Sequence, residues 1–250
     1  MSDYEFFKTY QFNDKKRLGN KGDGGYVIAD IGDYDCYISA GISDEESFSR
    51  DFIQQYHTKN NFGFDGTITT YPYEYTKEVE FIRKNIGSMN TDTTTNLHDL
   101  MSTYKSIFLK MDIEGGEYPW IDAMSLDHLN NIKQLVIEFH GVNDDTWGTS
   151  LSDKIRCFNK LATTHYIVHA HGNNCSGIQY IPEVLELTYV NKEYFVVPPP
   201  LNRTPFPILH LDYPNWSSRP AYRLHYEPFM YPISHHSFYM YSDILNRSSH

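Results

Sequence analysis

Apolar and polar positions along this chain switch repeatedly between a period of two and a period near 3.6, which predicts strands alternating with helices. The segment Asp35-Cys-Tyr-Ile-Ser-Ala40 reads as a short buried strand that runs into a turn at Gly41-Ile-Ser-Asp44. The next stretch, Glu45 to Ile53, carries acids in its first turn and apolar residues at Phe48, Phe52 and Ile53, the pattern of an amphipathic helix. A second strand, Asn61-Phe-Gly-Phe64, ends at Asp65, so the three pieces form a βαβ unit with an acid at the end of its second strand. Further on, Tyr73–Ile86 reads as helical, Thr91–Thr95 as β-leaning, and Leu97–Tyr104 as a short helix. Ile107–Asp112 then reads as a strand, the region from Tyr118 to Leu126 as a helix, and Gln134–His140 as a strongly apolar strand. Helix Leu151–Leu161 leads to strand His165–His171, and Glu183–Val190 and Glu193–Val197 read as late antiparallel edge strands.

Strands that alternate with helices predict an α/β domain with a mostly parallel sheet and helices on both faces. The composition breaks at Pro198-Pro-Pro200, and from there to His250 the chain is rich in Pro, Tyr, His and Ser without periodicity. This predicts an irregular extension, residues 198–250, that wraps the core or serves as an arm for a homo-oligomer. Trp216, Phe229, Met230 and Tyr239 argue for packing rather than exposure of that segment.

Composition narrows the partners. With 250 residues, of which 40% are hydrophobic, the chain can bury one sizeable core. A formal net charge of −11 leaves no basic stripe for a phosphate backbone, so nucleic acid is not an expected partner. No apolar run approaches a membrane span and the start, Met1-Ser-Asp-Tyr-Glu5, has no signal-peptide profile, which predicts a cytoplasmic protein. Cys36, Cys157 and Cys175 have no paired spacing and read as reduced thiols. The 21 Tyr and 15 Phe are compatible with aromatic platforms for sugars or ring ligands, though cores and interfaces absorb such residues too.

The densest chemistry lies in Lys110-Met-Asp-Ile-Glu-Gly-Gly-Glu117, at the end of the apolar run Ser106-Ile-Phe-Leu109. Three carboxylates and two glycines at a strand terminus need a partner or a task, although a polar strand-to-helix turn with capping acids would also use them. In open α/β sheets ligands bind beyond the carboxyl ends of the strands, where Gly41 would allow close backbone approach and Asp65 could accept hydrogen bonds from a ribose. The run Ser39-Ala-Gly41-Ile-Ser43 is not a G-x-G-x-x-G fingerprint, which favours a nucleoside ligand without phosphates over a dinucleotide.

The octapeptide resembles the Lys-(Ile/Met)-Asp-(Val/Ile)-Glu-Gly-x-Glu motif of FkbM-type S-adenosylmethionine-dependent methyltransferases. Other pieces match family-like positions in the same order: Lys21-Gly-Asp-Gly-Gly-Tyr26, Tyr37-Ile-Ser-Ala-Gly41 with Glu46-Ser-Phe48, Phe64-Asp65, Ile137-Glu-Phe-His140 and His169-Ala-His-Gly-Asn-Asn174. The resemblance covers roughly residues 15–197. It implies a Rossmann-like class I methyltransferase fold with a seven-stranded sheet over residues 1–197, S-adenosyl-L-methionine as cofactor, and O-methylation of a hydroxyl on a small-molecule or glycan acceptor. By the same resemblance Gly24, Gly25 and Tyr26 close over the cofactor, and Ser39, Gly41, Asp65, Asp112 and Glu114 contribute to its site. Ser43 departs from the pattern, because many methyltransferases carry a second glycine there.

Methyl transfer to an alcohol requires removal of a proton from a group whose pKa lies far above 7, so a base or a metal is needed. Asp112 ends one strand, and His140 and His171 end the two strands that follow it in sequence. With neighbouring strands about 4.8 Å apart, these three could converge as a base cluster or as ligands for Mn, Fe or Zn. Ordinary hydrogen-bonded histidines at a strand rim are the plainer alternative. Glu117 could charge the first turn of the helix it opens, and Asn173 and Asn174 could form a turn or donate to substrate. Two rival functions remain: a nicotinamide-dependent oxidoreductase, weakened by the missing phosphate fingerprint, and a non-catalytic domain that recognises glycan or protein through its aromatics.

Overall fold

The computed structural model describes residues 4–232. An N-terminal hairpin, β1 (Lys15–Leu18) and β2 (Tyr26–Ala29), precedes β3 (Cys36–Ala40), α1 (Ser47–Tyr56) and β4 (Asn61–Phe64). Short strands β5 (Glu80–Ile82), β6 (Asn85–Ile86) and β7 (Thr94–Thr95) lead to α2 (His98–Thr103) and β8 (Ile107–Met111). The chain continues through α3 (Glu117–Ala123), α4 (Leu126–Asn130), β9 (Ile132–Phe139), α5 (Leu151–Thr164), β10 (His165–Gly172) and β11 (Leu185–Asn191). Seven strands form one sheet in the order β10-β11-β9-β8-β3-β4-β5. All neighbours run parallel except β11, which is antiparallel to both β9 and β10. This is the mostly parallel α/β sheet that the alternation of strands and helices predicts, in the Rossmann-like, seven-stranded form that the resemblance implies.

Strand side chains alternate between two cores, as the pleat requires. Ile38, Leu109, Leu135 and Ile137 face a core shared with Met101, Trp120, Leu129 and Phe158 of helices α2 to α5. Tyr37, Phe108 and Val136 face the other way, onto Phe48, Phe52 and Ile53 of α1 and onto Leu18, Tyr26 and Ile28 of the hairpin. Much of the aromatic content is spent here: Phe52 lies 4.2 Å from Phe108 and 4.6 Å from Tyr37 between ring centroids. Helices thus cover both faces, but the hairpin completes the α1 side. It is pinned by Gln134, whose side chain accepts from the Ala29 N–H and donates to its carbonyl, and by Thr188, whose hydroxyl donates to Val27 O.

Three local readings are corrected. Tyr73–Ile86 holds no helix; Glu80–Ile82 instead pairs with Phe62–Phe64, because the open edge of β4 offers hydrogen bonds that outweigh local helix propensity. The strand over Leu185–Asn191 is not at the edge but inserts between β9 and β10. Glu193–Val197 forms no strand: Asn191 caps a 3₁₀ turn over Lys192–Tyr194, and Val196 and Val197 lie exposed, since β11 has both flanks occupied.

The segment after Pro200 returns across the sheet end. Leu201 bridges Tyr10, Phe206 bridges Leu224, and Phe206, Leu224 and Phe229 are buried. Tyr239 and the rest of 233–250 lie outside the described residues. No helix among the described residues is long and apolar enough to cross a membrane. Cys36 and Cys157 are buried and Cys175 is exposed, all three as free thiols.

Candidate active site

The octapeptide is built as a strand end, a tight reversal and a helix start. The Asp112 N–H continues the parallel ladder by donating to Ala40 O, and Glu114 and Gly115 then adopt left-handed conformations (φ 56° and 93°) before α3 begins at Glu117. A non-glycine residue in that region is uncommon and stores strain, which here turns Glu114 back over the strand end. Gly41 (φ 77°) faces this reversal across the sheet; a Cβ on it would lie 1.5 Å from the Asp112 carbonyl oxygen. The close approach Gly41 permits is therefore first of all to the chain's own backbone.

A cavity of about 410 Å³ opens beyond the carboxyl ends of β3, β4 and β8. Six of its lining residues are carboxylates, Asp23, Asp44, Glu45, Asp65, Asp112 and Glu114, against one cation, Lys110. Ile42, Phe64 and Ile86 supply an apolar part of the wall. Gly24, Tyr26 and Gly41 also line it, and Gly24 takes a left-handed conformation (φ 77°) that favours glycine. Glu45 Oε2 is buried and has no hydrogen-bond partner among the described residues, so one acceptor at this wall awaits a donor.

Asp65 ties the two loops of the βαβ unit together. Its Oδ2 accepts the N–H groups of Ile42 (2.9 Å) and Ser43 (3.0 Å), and its Oδ1 accepts the N–H (2.7 Å) and hydroxyl (2.6 Å) of Thr67. Burial opposes its charge, but these donors outweigh it and hold the carboxyl below its ordinary value. Ser43 stands in the left-handed region (φ 53°), so the position keeps a glycine's conformation without the glycine.

At the other end Tyr26 donates to Asp112 Oδ2 (3.3 Å) and to Glu138 Oε2 (3.5 Å), while Asn173 donates to Glu138 Oε1 (2.8 Å). Burial and the nearby Asp112 charge push Glu138 well above its ordinary value. His140 points its Nδ1 at Glu117 Oε1 (3.2 Å), and its Nε2 lies 3.3 Å from Glu114, 3.9 Å from Glu138 and 4.0 Å from Asp112. Its burial disfavours a proton, yet the Glu117 contact and the surrounding carboxylates raise it above its usual range. Tyr118 fixes the strand end by donating to His140 O (2.8 Å), and Trp147, half exposed, packs its ring 4.8 Å from the imidazole.

Of the residues predicted from sequence, Gly24, Tyr26, Gly41, Asp65, Asp112 and Glu114 converge on the cavity, with His140 beside Asp112 and Glu114. Three do not join them. Ser39 is fully buried and donates to Glu46 Oε1 (3.0 Å) inside the sheet face. Gly25 lies in the hairpin turn against the Asn20 carbonyl. His171 is removed because β11 separates β10 from β9: its Nδ1 lies 3.4 Å from Asp212 and its Nε2 3.2 Å from Asn215 Oδ1. The set Asp112, His140 and His171 is thus not formed, and Glu114 takes the place of His171. Asn174 anchors the extension, donating to Trp216 O and Arg219 O (both 3.0 Å). Trp147 and the loop carrying it were not foreseen; a tryptophan between Asp145 and Gly148 just after a strand end was the available signal.

Neither a family model nor a curated protein matches the chain. Among solved structures, the N-methyltransferase NodS from Bradyrhizobium japonicum WM9 is similar over 64% of this chain and 87% of its own, at 13% identity and a TM-score of 0.38. Its complex with S-adenosyl-L-homocysteine matches at 14% identity and 0.38, over 64% of this chain and 79% of that one. Precorrin-6y C5,15-methyltransferase from Geobacter metallireducens GS-15 matches at 10% identity and 0.37, over 64% of this chain and 81% of that one. Likeness at this level assigns neither activity nor ligand.

Proposed function

We propose that this protein is an S-adenosylmethionine-dependent methyltransferase that acts on a hydroxyl group of a small-molecule or glycan acceptor. The observation that carries the reading is the charge of the cavity: six carboxylates against one lysine, at the strand ends where this sheet type binds ligands. A ligand with a sulfonium and an ammonium suits that field, and the size falls within the range of about 300–1,000 Å³ usual for small-molecule sites. A dinucleotide does not suit it, since its pyrophosphate would face the same carboxylates with no glycine-rich cradle, which weakens the nicotinamide reading. The octapeptide's resemblance to the FkbM-type motif supports the same choice.

The residues present fit the cofactor with one adjustment. Glu45 Oε2 is an open acceptor, Ile42, Phe64 and Ile86 offer an apolar wall to a ring, and Tyr26 and Gly24 form one side of the cavity. Asp65 could hold a ribose only if Thr67 gives up its hydroxyl contact, because about four acceptor positions are all a carboxylate has. When bound, S-adenosylmethionine supplies an electrophilic methyl group on sulfur. The products are a methyl ether, a thioether and a proton, and Asp112, the partly exposed carboxylate beside the cavity, is the group placed to receive that proton. Tyr26 fixes Asp112 Oδ2, and Trp147 beside His140 gives a sugar ring a face to stack on.

Titration calorimetry with S-adenosylhomocysteine tests the reading. Micromolar binding that Asp112→Asn leaves intact, with labelled methyl transfer to an acceptor reduced about 100-fold or more, is the expected result. No binding of either S-adenosylmethionine or S-adenosylhomocysteine would rule the reading out.

A further inference from the structure

We propose that Asp112, Glu114 and His140 form a binding site for a divalent first-row metal ion at the edge of the cavity. One oxygen from each carboxylate and one imidazole nitrogen lie within 4.8 Å of one another. Bonds of about 2.0–2.2 Å from a common ion span ligand separations of roughly 3–4.4 Å, so only a small shift of the exposed Glu114 closes the set.

What distinguishes this cluster from ordinary surface acids is the preparation of the histidine. The His140 side chain is only 7% exposed, and its Nε2 faces carboxylates, Glu114 at 3.3 Å, Glu138 at 3.9 Å and Asp112 at 4.0 Å. The opposite nitrogen is held by Glu117, whose side chain is completely enclosed. A buried carboxylate on one imidazole nitrogen fixes the ring and leaves the other nitrogen as a lone-pair donor, the arrangement that supports metal-bound histidines. The second contact of Glu117 Oε1 is with the Ile113 N–H (3.3 Å), so the same carboxylate also sets the backbone that projects Glu114.

Charge balance points the same way. Asp112, Glu114, Glu117 and Glu138 surround a single imidazole, and Lys110 is tied to Gly41 O instead of to any of them. One imidazolium can balance only one of these acids. A doubly charged ion in place of the Nε2 proton leaves the imidazole neutral and balances two of them, while the Glu117 contact to Nδ1 is kept. One imidazole and two carboxylates form a mixed nitrogen and oxygen set that suits Mn²⁺ or a similar ion better than thiophilic metals. Three protein ligands leave positions open toward Trp147 and the cavity. On the methyl-transfer reading, on which this role rests, an acceptor hydroxyl at an open position would have its pKa lowered by the ion.

Loss of the free Mn²⁺ electron paramagnetic resonance signal on titration with the protein alone, without cofactor or acceptor, counts bound ions directly. One ion per chain is expected, weakened at least tenfold by Glu114→Gln and by Asp112→Asn and unchanged by the remote Asp99→Asn. Glu114 is largely exposed, so its variant retains the fold, which circular dichroism verifies. No uptake by the wild type, or uptake that both Glu114→Gln and Asp112→Asn leave unchanged, overturns the site. Binding of S-adenosylhomocysteine without uptake of Mn²⁺ would sink the metal site and spare the methyltransferase reading. Uptake of Mn²⁺ without cofactor binding would do the reverse.

Discussion

His165 opens β10 as a fully enclosed imidazole with both nitrogens engaged: Nε2 donates to Ile132 O at 2.9 Å and Nδ1 meets the Thr164 hydroxyl at 2.7 Å. Burial lowers its pKa to about 4, so the folded protein keeps it neutral while the unfolded chain takes up a proton near 6.5. Stability from this residue is complete above about pH 6.5 and is lost as the pH falls towards 4, an effect of order 3 kcal/mol. Denaturant unfolding of His165→Gln between pH 4 and 7 is expected to show a shallower pH slope than the wild type; equal slopes would refute the assignment. In the sequence both His165 and His140 are strand-terminal, and what separates them is that His165 opens its strand whereas His140 closes one, at the end where this sheet type binds ligands. Enclosure with the Ile132 carbonyl and the Thr164 hydroxyl makes one a structural residue, whereas four neighbouring carboxylates make the other a candidate site residue. Asp65 teaches the same point: its position at a strand end was legible, but its use by Ile42, Ser43 and Thr67 depends on where two loops meet.

Between strand end and helix, the loop after β9 is held by Lys154 of α5. Its ammonium, enclosed, donates to the carbonyls of Gly141 (2.6 Å), Asp144 (3.1 Å) and Thr146 (2.7 Å) and lies 5.2 Å from the Tyr118 ring centroid. Those contacts shape the loop that places Trp147 on His140. Lys154→Met keeps the stem but strands three carbonyls, so a loss on the order of 3 kcal/mol is expected, with increased quenching of Trp147 by acrylamide. Unaltered melting and quenching would show that the loop holds itself. In the sequence Lys154 looks like a polar residue on an amphipathic helix, and only its packing against the loop reveals the role. Helix α5 and strands β8 and β9 were legible because their apolar periods are long; β5 and the 3₁₀ turn after β11 were not, because sheet edges, not local pattern, decided them.

Across the whole molecule the segment after Pro200 acts as a strap. Asp212, side chain fully enclosed, lies 2.8 Å from His169 Nε2 and 3.4 Å from His171 Nδ1, and Asn215 donates to Glu186 (2.7 Å). Burial opposes the Asp212 charge, but His169 and His171 hold it far below the ordinary carboxylate range. His171 is raised despite burial by Glu186 and Asp212, with Arg17 and Lys15 also facing this cluster. The Asp212 contribution is present above about pH 4 and lost below it, and that of His171 is complete below about pH 6.5 and lost as the pH rises through its folded value. Asp212→Asn should therefore lower Tm most between about pH 4 and 6.5; a pH-independent drop would mean that packing alone holds the strap. The alternation of periods and the octapeptide determined by themselves that this chain forms an α/β sheet with acids at its strand ends, because the side-chain period of a strand or a helix is a local property of the chain. Only the tertiary structure decided which strand ends meet. Strand β11 is inserted between β9 and β10, which sends His171 to the strap and leaves Asp112, Glu114 and His140 together, since lateral order in a sheet is set by pairing between segments distant in sequence.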